Sequence, residues 1–163
     1  MLNWSIHGFW DFSVLGVVIY LLIVTHITIV SVTVYLHRFS AHRSLLLNAP
    51  ISHFFRCWLW LTTGQGTRDW TAIHRKHHAE CETTEDPHSP VKQGLGTILW
   101  RGVEAYKLAI ADQETLRRYG RGCPDDWLEK NLYCHNSLGI ALMLAINLLL
   151  FGFLGITVWA IQM

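Results

Sequence analysis

The stretch FSVLGVVIYLLIVTHITIVSVTVYL, residues 12–36, contains 25 residues and no Lys, Arg, Asp or Glu. About 20 predominantly apolar residues are enough for a helix to cross the hydrocarbon core of a bilayer. No basic residue precedes the stretch and no small-residue cleavage site follows it, as both would in a secretory signal peptide. We therefore expect residues 12–36 to form a transmembrane helix.

A second uncharged segment lies near the other end of the chain, from Leu138 to Ile161. Its length predicts a second transmembrane helix over 138–161. The two segments explain why 51% of the 163 residues are hydrophobic. The expected fold is an all-α membrane protein with one domain over residues 1–163.

The basic residues are confined to the part of the chain between the two apolar segments. All thirteen Lys and Arg lie between Arg38 and Lys130. Because cytoplasmic segments carry the excess of basic residues, we expect residues 37–137 to be cytoplasmic and the protein to be a multi-pass membrane protein. The formal net charge of +1 gives no sign of a nucleic-acid partner, and we expect none.

Short helices are expected in this cytoplasmic region. Asn48 and Pro50 are typical of a helix start, and they predict a helix over 49–63. About 15 residues are too few to cross a bilayer, so this helix is expected to be interfacial or re-entrant. An amphipathic pattern predicts one further helix over 97–119, and Asp125 or Asp126 is expected to cap another over 127–135.

Five of the ten histidines form two clusters on either side of the short helix. His37 and His42 follow the first apolar segment, and His74, His77 and His78 are spaced at i, i+3 and i+4. Residues three and four apart share one face of a helix, so we expect the latter three to direct their nitrogens to one point. Imidazole binds Fe, Zn, Cu and Ni, which predicts a site for one or two metal ions. The alternative is a basic stripe that meets anionic lipid headgroups.

The motif content narrows the choice of metal. The sequence contains no HExxH motif and no paired cysteines, which are typical of zinc hydrolases and zinc knuckles. Five imidazoles at a membrane surface favour iron that reacts with O2. A substrate that reaches such a site from the bilayer would be a lipid or an acyl chain.

Four segments resemble one family. HRFSAHR, residues 37–43, resembles the first histidine box of the membrane fatty acid desaturases of the stearoyl-CoA Δ9 type, and HRKHH, residues 74–78, resembles their second box. The run DWTAIHRKHHAECETTEDPHSP, residues 69–90, is similar to that family over its whole length. ETLRRYGRGCPDDWLEKNLY, residues 114–133, resembles the bacterial branch, which implies the cytoplasmic (inner) membrane of a bacterium.

The resemblance implies an iron enzyme that acts on acyl chains. Such an enzyme holds two Fe ions and uses O2 and two electrons to introduce a cis double bond, here at Δ9, into a saturated acyl-CoA or acyl-lipid. A separate ferredoxin- or flavoprotein-type protein would supply the electrons. The implied iron ligands are His37, His42, His74, His77 and His78. Asp69 and Trp70 are expected to bind substrate, whereas His88 is not counted among the ligands.

One feature of the family is not found in these residues. The resemblance implies a third box, HxxHH, but His135 and Asn136 are followed by SLGIALML, which has no further histidine. Residues 1–163 are therefore expected to be the N-terminal part of a desaturase domain. On its own this part is expected to hold an incomplete di-iron site and to be inactive.

Two other functions stay open at this point. A membrane di-iron hydroxylase of lipids or hydrocarbons shares the same kind of histidine boxes. A non-enzymatic membrane protein that handles metal or haem would also need clustered imidazoles.

Overall fold

The computed structural model describes Gly8, Phe9 and residues 13–163. Every regular element in these residues is a helix, and none of them forms a strand. This confirms the all-α class.

The chain divides into two compact units. The first contains the described residues of Met1–Tyr35 together with Leu47–Gly66 and Asp126–Met163. The second contains Leu36–Leu46 and Thr67–Asp125. Both histidine boxes belong to the second unit.

The first helix, α1, spans Val14–Val30 and continues without interruption as a π-helical segment over Ser31–Ala41. The Ser13 side chain begins α1 by accepting a hydrogen bond from the Gly16 amide at 3.2 Å. Together the two segments make 28 residues that are long and apolar enough to cross a membrane. Only 11% of their most apolar stretch is buried, whereas the core helix of a soluble protein would be mostly buried. The predicted helix over 12–36 is thus confirmed from Val14 onward, because Ser13 is the N-cap and residue 12 lies outside the described residues.

Helix α2 spans Ala49–Thr62, as its start signals predict. The Asn48 side chain accepts a hydrogen bond from the Ile51 amide at 3.0 Å, and a proline occupies the first turn. Within the first unit, the buried Arg56 of α2 donates to Asp126 at 2.6 and 2.8 Å and to Glu129 at 2.8 Å. The interfacial or re-entrant position of α2 stays a prediction.

The second unit contains four helices: α3 over Thr67–Ala79, α4 over Pro90–Gln93, α5 over Leu95–Ala111 and α6 over Gln113–Tyr119. The single helix expected over 97–119 is wrong, because the chain breaks at Asp112. Asp112 has extended backbone angles, and its side chain accepts a hydrogen bond from the Glu114 amide at 3.1 Å. An aspartate in that role begins a new helix.

The last apolar segment also differs from the prediction. It forms helix α7 over Asn136–Phe151 and helix α8 over Leu154–Gln162, separated at Gly152, whose φ is +60°. Asn147 donates a hydrogen bond to the Gln162 side chain at 3.0 Å. In one straight helix, residues fifteen apart would be separated by about 22 Å, so α8 folds back on α7.

The prediction of one continuous helix over 138–161 is therefore wrong, and a second membrane span in this segment is not confirmed. Among the described residues, the segment over Val14–Ala41 is the one helix long enough for that assignment. The last segment is uncharged, but an uncharged composition does not show where a glycine such as Gly152 reverses the direction of the chain.

Candidate metal centre

Four histidines of the second unit bring one nitrogen each to a common point. His37 lies in the π-helical segment, His42 directly follows it, and His74 and His78 lie on α3. The Nε2 atoms are 3.1 Å apart for His37 and His42, 3.4 Å for His42 and His74, and 3.1 Å for His74 and His78. All four ligand atoms lie within 4.8 Å of one another. We call these residues the four-histidine cluster.

The spacing of these nitrogens fits a single transition-metal ion. At a metal–nitrogen distance of about 2.0–2.1 Å, two ligands are about 3.4 Å apart in a tetrahedron and about 3.0 Å apart when adjacent in an octahedron. The observed values of 3.1 to 3.4 Å fall in this interval. An all-imidazole donor set suits iron, zinc, copper or nickel and not magnesium or calcium.

The electrostatics of two residues in the four-histidine cluster, His42 and His74, favour neutral imidazoles. Burial, followed by the neighbouring histidines, lowers the pKa of His74 to about 4. Desolvation and the neighbouring His37 and His78 lower the pKa of His42 in the same direction. A neutral imidazole keeps one nitrogen lone pair free, which is the form that binds a metal.

The guanidinium of Arg75 joins α3 to the end of the π-helical segment. It donates to the carbonyl oxygens of Ser40 at 2.6 Å and Ala41 at 3.1 Å, and to those of Tyr119 at 2.9 Å and Arg121 at 2.8 Å. The last carbonyls of a helix have no partner within it, and a cation there also offsets the negative end of the helix dipole. Arg75 thus sets the distance between His42 and His74, which lies on α3.

A second contact supports the same junction. The hydroxyl groups of Ser40 and Thr71 are 2.7 Å apart and buried. Thr71, Ala72 and Ile73 form the buried face of α3. Because this face is packed inside the second unit, the histidines on the other side of α3 are held at a fixed angle.

His77 does not join the four-histidine cluster, and the expectation that three nitrogens of α3 meet at one point is wrong. Successive residues of a helix are about 100° apart, so His77 and His78 lean to opposite sides of His74. His77 instead groups with Cys81 and Asp86, whose ligand atoms also lie within 4.8 Å of one another. The implied role of His77 as an iron ligand stays a prediction.

Asp86 is the partner of His77. Its Oδ1 lies 2.8 Å from the His77 Nδ1, and its side chain is fully shielded from solvent. Burial opposes the ionisation of Asp86, but the hydrogen bonds from His77 and from backbone amides outweigh it and lower the pKa of the carboxyl. Asp86 was not singled out from the sequence, although its position in the Asp-Pro-His tripeptide after the second box was a usable signal.

The two expected substrate-binding residues lie beside this centre. The Trp70 ring stacks on the imidazole of His74, with 4.6 Å between the ring centroids and 13° between the planes. Burial raises the pKa of Asp69. Burial also raises the pKa of Tyr106 on α5, and the charge of Asp69 raises that pKa further. The substrate-binding role of Asp69 and Trp70 stays a prediction.

A model of the fatty acid desaturase family matches residues 12–163 of the chain. The chain belongs to the fatty acid desaturase family. The family is di-iron, and the structure has clustered histidines that could bind a metal ion. Desaturases of this family are associated with membranes, which agrees with the long exposed apolar helix over Val14–Ala41.

Several curated desaturases are similar to the chain. The sn-1 stearoyl-lipid 9-desaturase of Synechocystis sp. is 28% identical over 134 residues, which is 81% of this chain and 40% of that protein. The Delta-9 acyl-lipid desaturase 1 of Arabidopsis thaliana is 40% identical over 60 residues, 36% of this chain and 19% of that protein.

A third relative has a different name. The Hex-5-enoyl-[acyl-carrier protein] acetylenase of Moorena producens is 34% identical over 89 residues, 53% of this chain and 27% of that protein. The chain therefore spans two fifths or less of the length of these three relatives. No solved structure matches it.

Proposed function

We propose that the protein to which these residues belong is an O2-dependent di-iron desaturase that introduces a cis double bond, at Δ9, into a saturated acyl chain. The observation that carries the proposal is the convergence of four Nε2 atoms from the two family boxes within 4.8 Å. The names of the Synechocystis and Arabidopsis relatives support a double bond at the 9-position and a lipid-linked substrate.

The ligand assignment follows from the two side-chain groups. The four-histidine cluster would hold one iron, and His77 would hold the second through its Nε2. When bound, the two irons would supply the O2-dependent removal of two hydrogens from an unactivated acyl chain. The chain's own part is to favour the neutral form of His42 and His74, to fix the spacing of the imidazoles through Arg75 and to orient His77.

Five imidazoles are too few for two irons. The four-histidine cluster gives four nitrogens to one ion, whereas His77 alone gives one nitrogen to the other. The third box that the resemblance implies would supply the missing ligands, and it is not among these 163 residues. We therefore expect the 163-residue chain by itself to be inactive.

The substrate would reach the iron site from the bilayer. The apolar helix over Val14–Ala41 ends in the segment that carries His37, so one end of a membrane-spanning element also belongs to the centre. Trp70, stacked on His74, offers an apolar ring directly beside a ligand, where it would position the acyl chain together with Asp69.

The resemblance and the distribution of basic residues support a proposal for the cellular setting. We propose an integral, multi-pass protein of a bacterial cytoplasmic membrane, with the histidine boxes on the cytoplasmic side. Acyl-CoA or acyl-lipid would be the substrate. Electrons would come from a separate ferredoxin- or flavoprotein-type protein.

The test is lipid analysis of cells that express the full reading frame. We expect a raised fraction of monounsaturated acyl chains in the wild type and none in His37→Ala or His77→Ala. His53→Ala is the matched control, because His53 belongs to neither box and lies in the first unit, 3.4 Å from the Tyr133 hydroxyl. Activity retained in either box variant removes that residue from the ligand set, and a hydroxylated product without unsaturation supports the hydroxylase instead.

A metal-handling protein makes a different prediction for the isolated chain. If the purified 163-residue chain held two tightly bound irons, the proposed shortage of ligands would be wrong. A single weakly held ion in the four-histidine cluster would agree with the desaturase assignment.

A further inference from the structure

We propose that Asp86 is a positioning residue that fixes the ring of His77 through Nδ1 and so presents the His77 Nε2 to the second iron. This inference rests on the proposed function, because His77 must be an iron ligand for its orientation to matter. Asp86 lies outside the two histidine boxes, so the inference adds a residue to the metal centre that the boxes do not contain.

Both oxygens of Asp86 are already used. Oδ1 accepts from His77 at 2.8 Å and from the His88 amide at 2.9 Å, and Oδ2 accepts from the Glu82 amide at 3.0 Å. The side chain of Asp86 is 0% exposed. With three donors around a buried carboxylate, Asp86 is better suited to orient a ligand than to bind a metal itself.

The contact also decides which nitrogen of His77 carries a proton. A carboxylate only accepts hydrogen bonds, so the Nδ1 of His77 must donate, and the lone pair of a neutral ring is then on Nε2. A metal-binding histidine usually donates its other ring N–H to a carboxylate, carbonyl or water, which fixes the ring and raises its basicity. His77 and Asp86 have this arrangement.

The loop holds Asp86 in place without help from His77. The Gln93 side chain donates to the Asp86 carbonyl at 3.1 Å, and the Ser89 hydroxyl donates to the Glu82 side chain at 3.1 Å. Glu82 adopts a left-handed backbone conformation with φ +61°, which turns its amide toward Oδ2. The carboxylate is therefore a fixed point against which the imidazole of His77 is aligned.

The experiment compares Asp86→Asn with Glu85→Gln in the full-length protein. Asn has the size of Asp and keeps one acceptor oxygen, but it lacks the charge and has a donor NH2 group in place of the second acceptor oxygen. Glu85→Gln removes the same charge one residue away, at a side chain that is 71% exposed. The measurements are iron affinity and the Mössbauer spectrum of the iron-loaded protein, with thermal unfolding to check the fold.

We expect Asp86→Asn to weaken the binding of one of the two irons by about 10- to 100-fold, the usual effect of losing such a partner. Only one of the two Mössbauer signals should change, whereas Glu85→Gln should leave both the affinity and the spectrum unchanged. If Asp86→Asn binds two irons with wild-type affinity, the inference is wrong.

His77→Ala separates a failure of this inference from a failure of the proposed function. If His77→Ala keeps both irons, His77 is not a ligand and the proposed function needs revision. If it loses one iron while Asp86→Asn loses none, only the role of Asp86 fails. In the His77→Ala background, Asp86→Asn should have no further effect on the remaining iron, and an additional loss there would show a merely structural role.

Discussion

At the scale of single residues, the type and spacing of the histidines determine much of the centre. The i, i+4 pair of His74 and His78 converges as helix geometry predicts. The 100° step between successive helix residues separates His77 from His78, but the partner of His77 was not predictable from spacing, because Asp86 lies nine residues later in a loop. That loop depends on a left-handed backbone at Glu82, a conformation that no sequence pattern indicates for a glutamate.

Arg56 provides a test of a buried ion pair in the first unit. Arg56→Met should lower the free energy of unfolding by roughly 2 to 3 kcal/mol, because it removes charge-assisted hydrogen bonds to Asp126 and Glu129. Thermal unfolding in detergent measures the change. Arg101→Met is the control, since Arg101 is 70% exposed in its pair with Glu104 and should change stability by less than about 1 kcal/mol.

The same pair predicts a dependence of stability on pH. The guanidinium of Arg56 lowers the pKa of Asp126 below that of an unfolded aspartate. The stabilisation is therefore present above the ordinary pKa of about 3.9 and is lost as the pH falls toward the lower, folded value. Across this pH range, the free energy of unfolding should fall more steeply with decreasing pH for the wild type than for Arg56→Met. Parallel curves would contradict the pairing.

At the scale of elements, Arg75 connects α3 to the π-helical segment. A lysine has one compact ammonium and cannot reach four carbonyl oxygens that a guanidinium contacts. Arg75→Lys should therefore weaken metal binding by the four-histidine cluster about 10- to 100-fold, measured by metal titration. Arg117→Lys, at an exposed pair with Glu114, should leave the affinity unchanged. Equal affinities in all three proteins would show that Arg75 does not set the spacing.

The hairpin of α7 and α8 makes a second prediction at this scale. A Cβ on Gly155 would lie 2.2 Å from the carbonyl oxygen of Asn147, a backbone atom that cannot turn away. Gly155→Ala should destabilise the protein by about 1 to 3 kcal/mol in thermal unfolding. Gly102→Ala, in the interior of α5 with no atom within 4 Å, should instead be neutral or stabilise it by up to about 1 kcal/mol. If Gly102→Ala destabilised the protein more than Gly155→Ala, the result would argue against the hairpin.

The sequence predicted helix starts better than it predicted reversals of the chain. Asn48 caps α2 as expected, and the helix expected over 127–135 forms over 127–133, where Asp126 accepts a hydrogen bond from the Glu129 amide at 2.9 Å. A short polar side chain before a helical pattern has this direct physical role. The break at Gly152 was missed because an uncharged run shows no difference between one long helix and two short ones. Asn147 and Gln162, polar residues in an apolar segment, were the available sign, since such groups need partners.

At the scale of the whole molecule, the apolar helix and the histidine boxes belong mostly to different units. The first unit contains most of the apolar helix over Val14–Ala41, and the second unit contains both histidine boxes. The sequence places the box histidines between the two uncharged segments, but it did not predict that Leu47–Gly66 and Asp126–Met163 belong to the first unit. The chain spans 40% of the length of the Synechocystis relative, which is consistent with the proposal that part of the iron-ligand set lies outside these 163 residues.

The central claim is that the two boxes of this desaturase hold iron through the four-histidine cluster. The most direct test is the iron content of the purified full-length protein, in the wild type and in a His74→Ala/His78→Ala variant whose fold is checked by thermal unfolding. The account predicts two irons per chain in the wild type and no more than one in the variant. Two irons retained in a folded variant would contradict it.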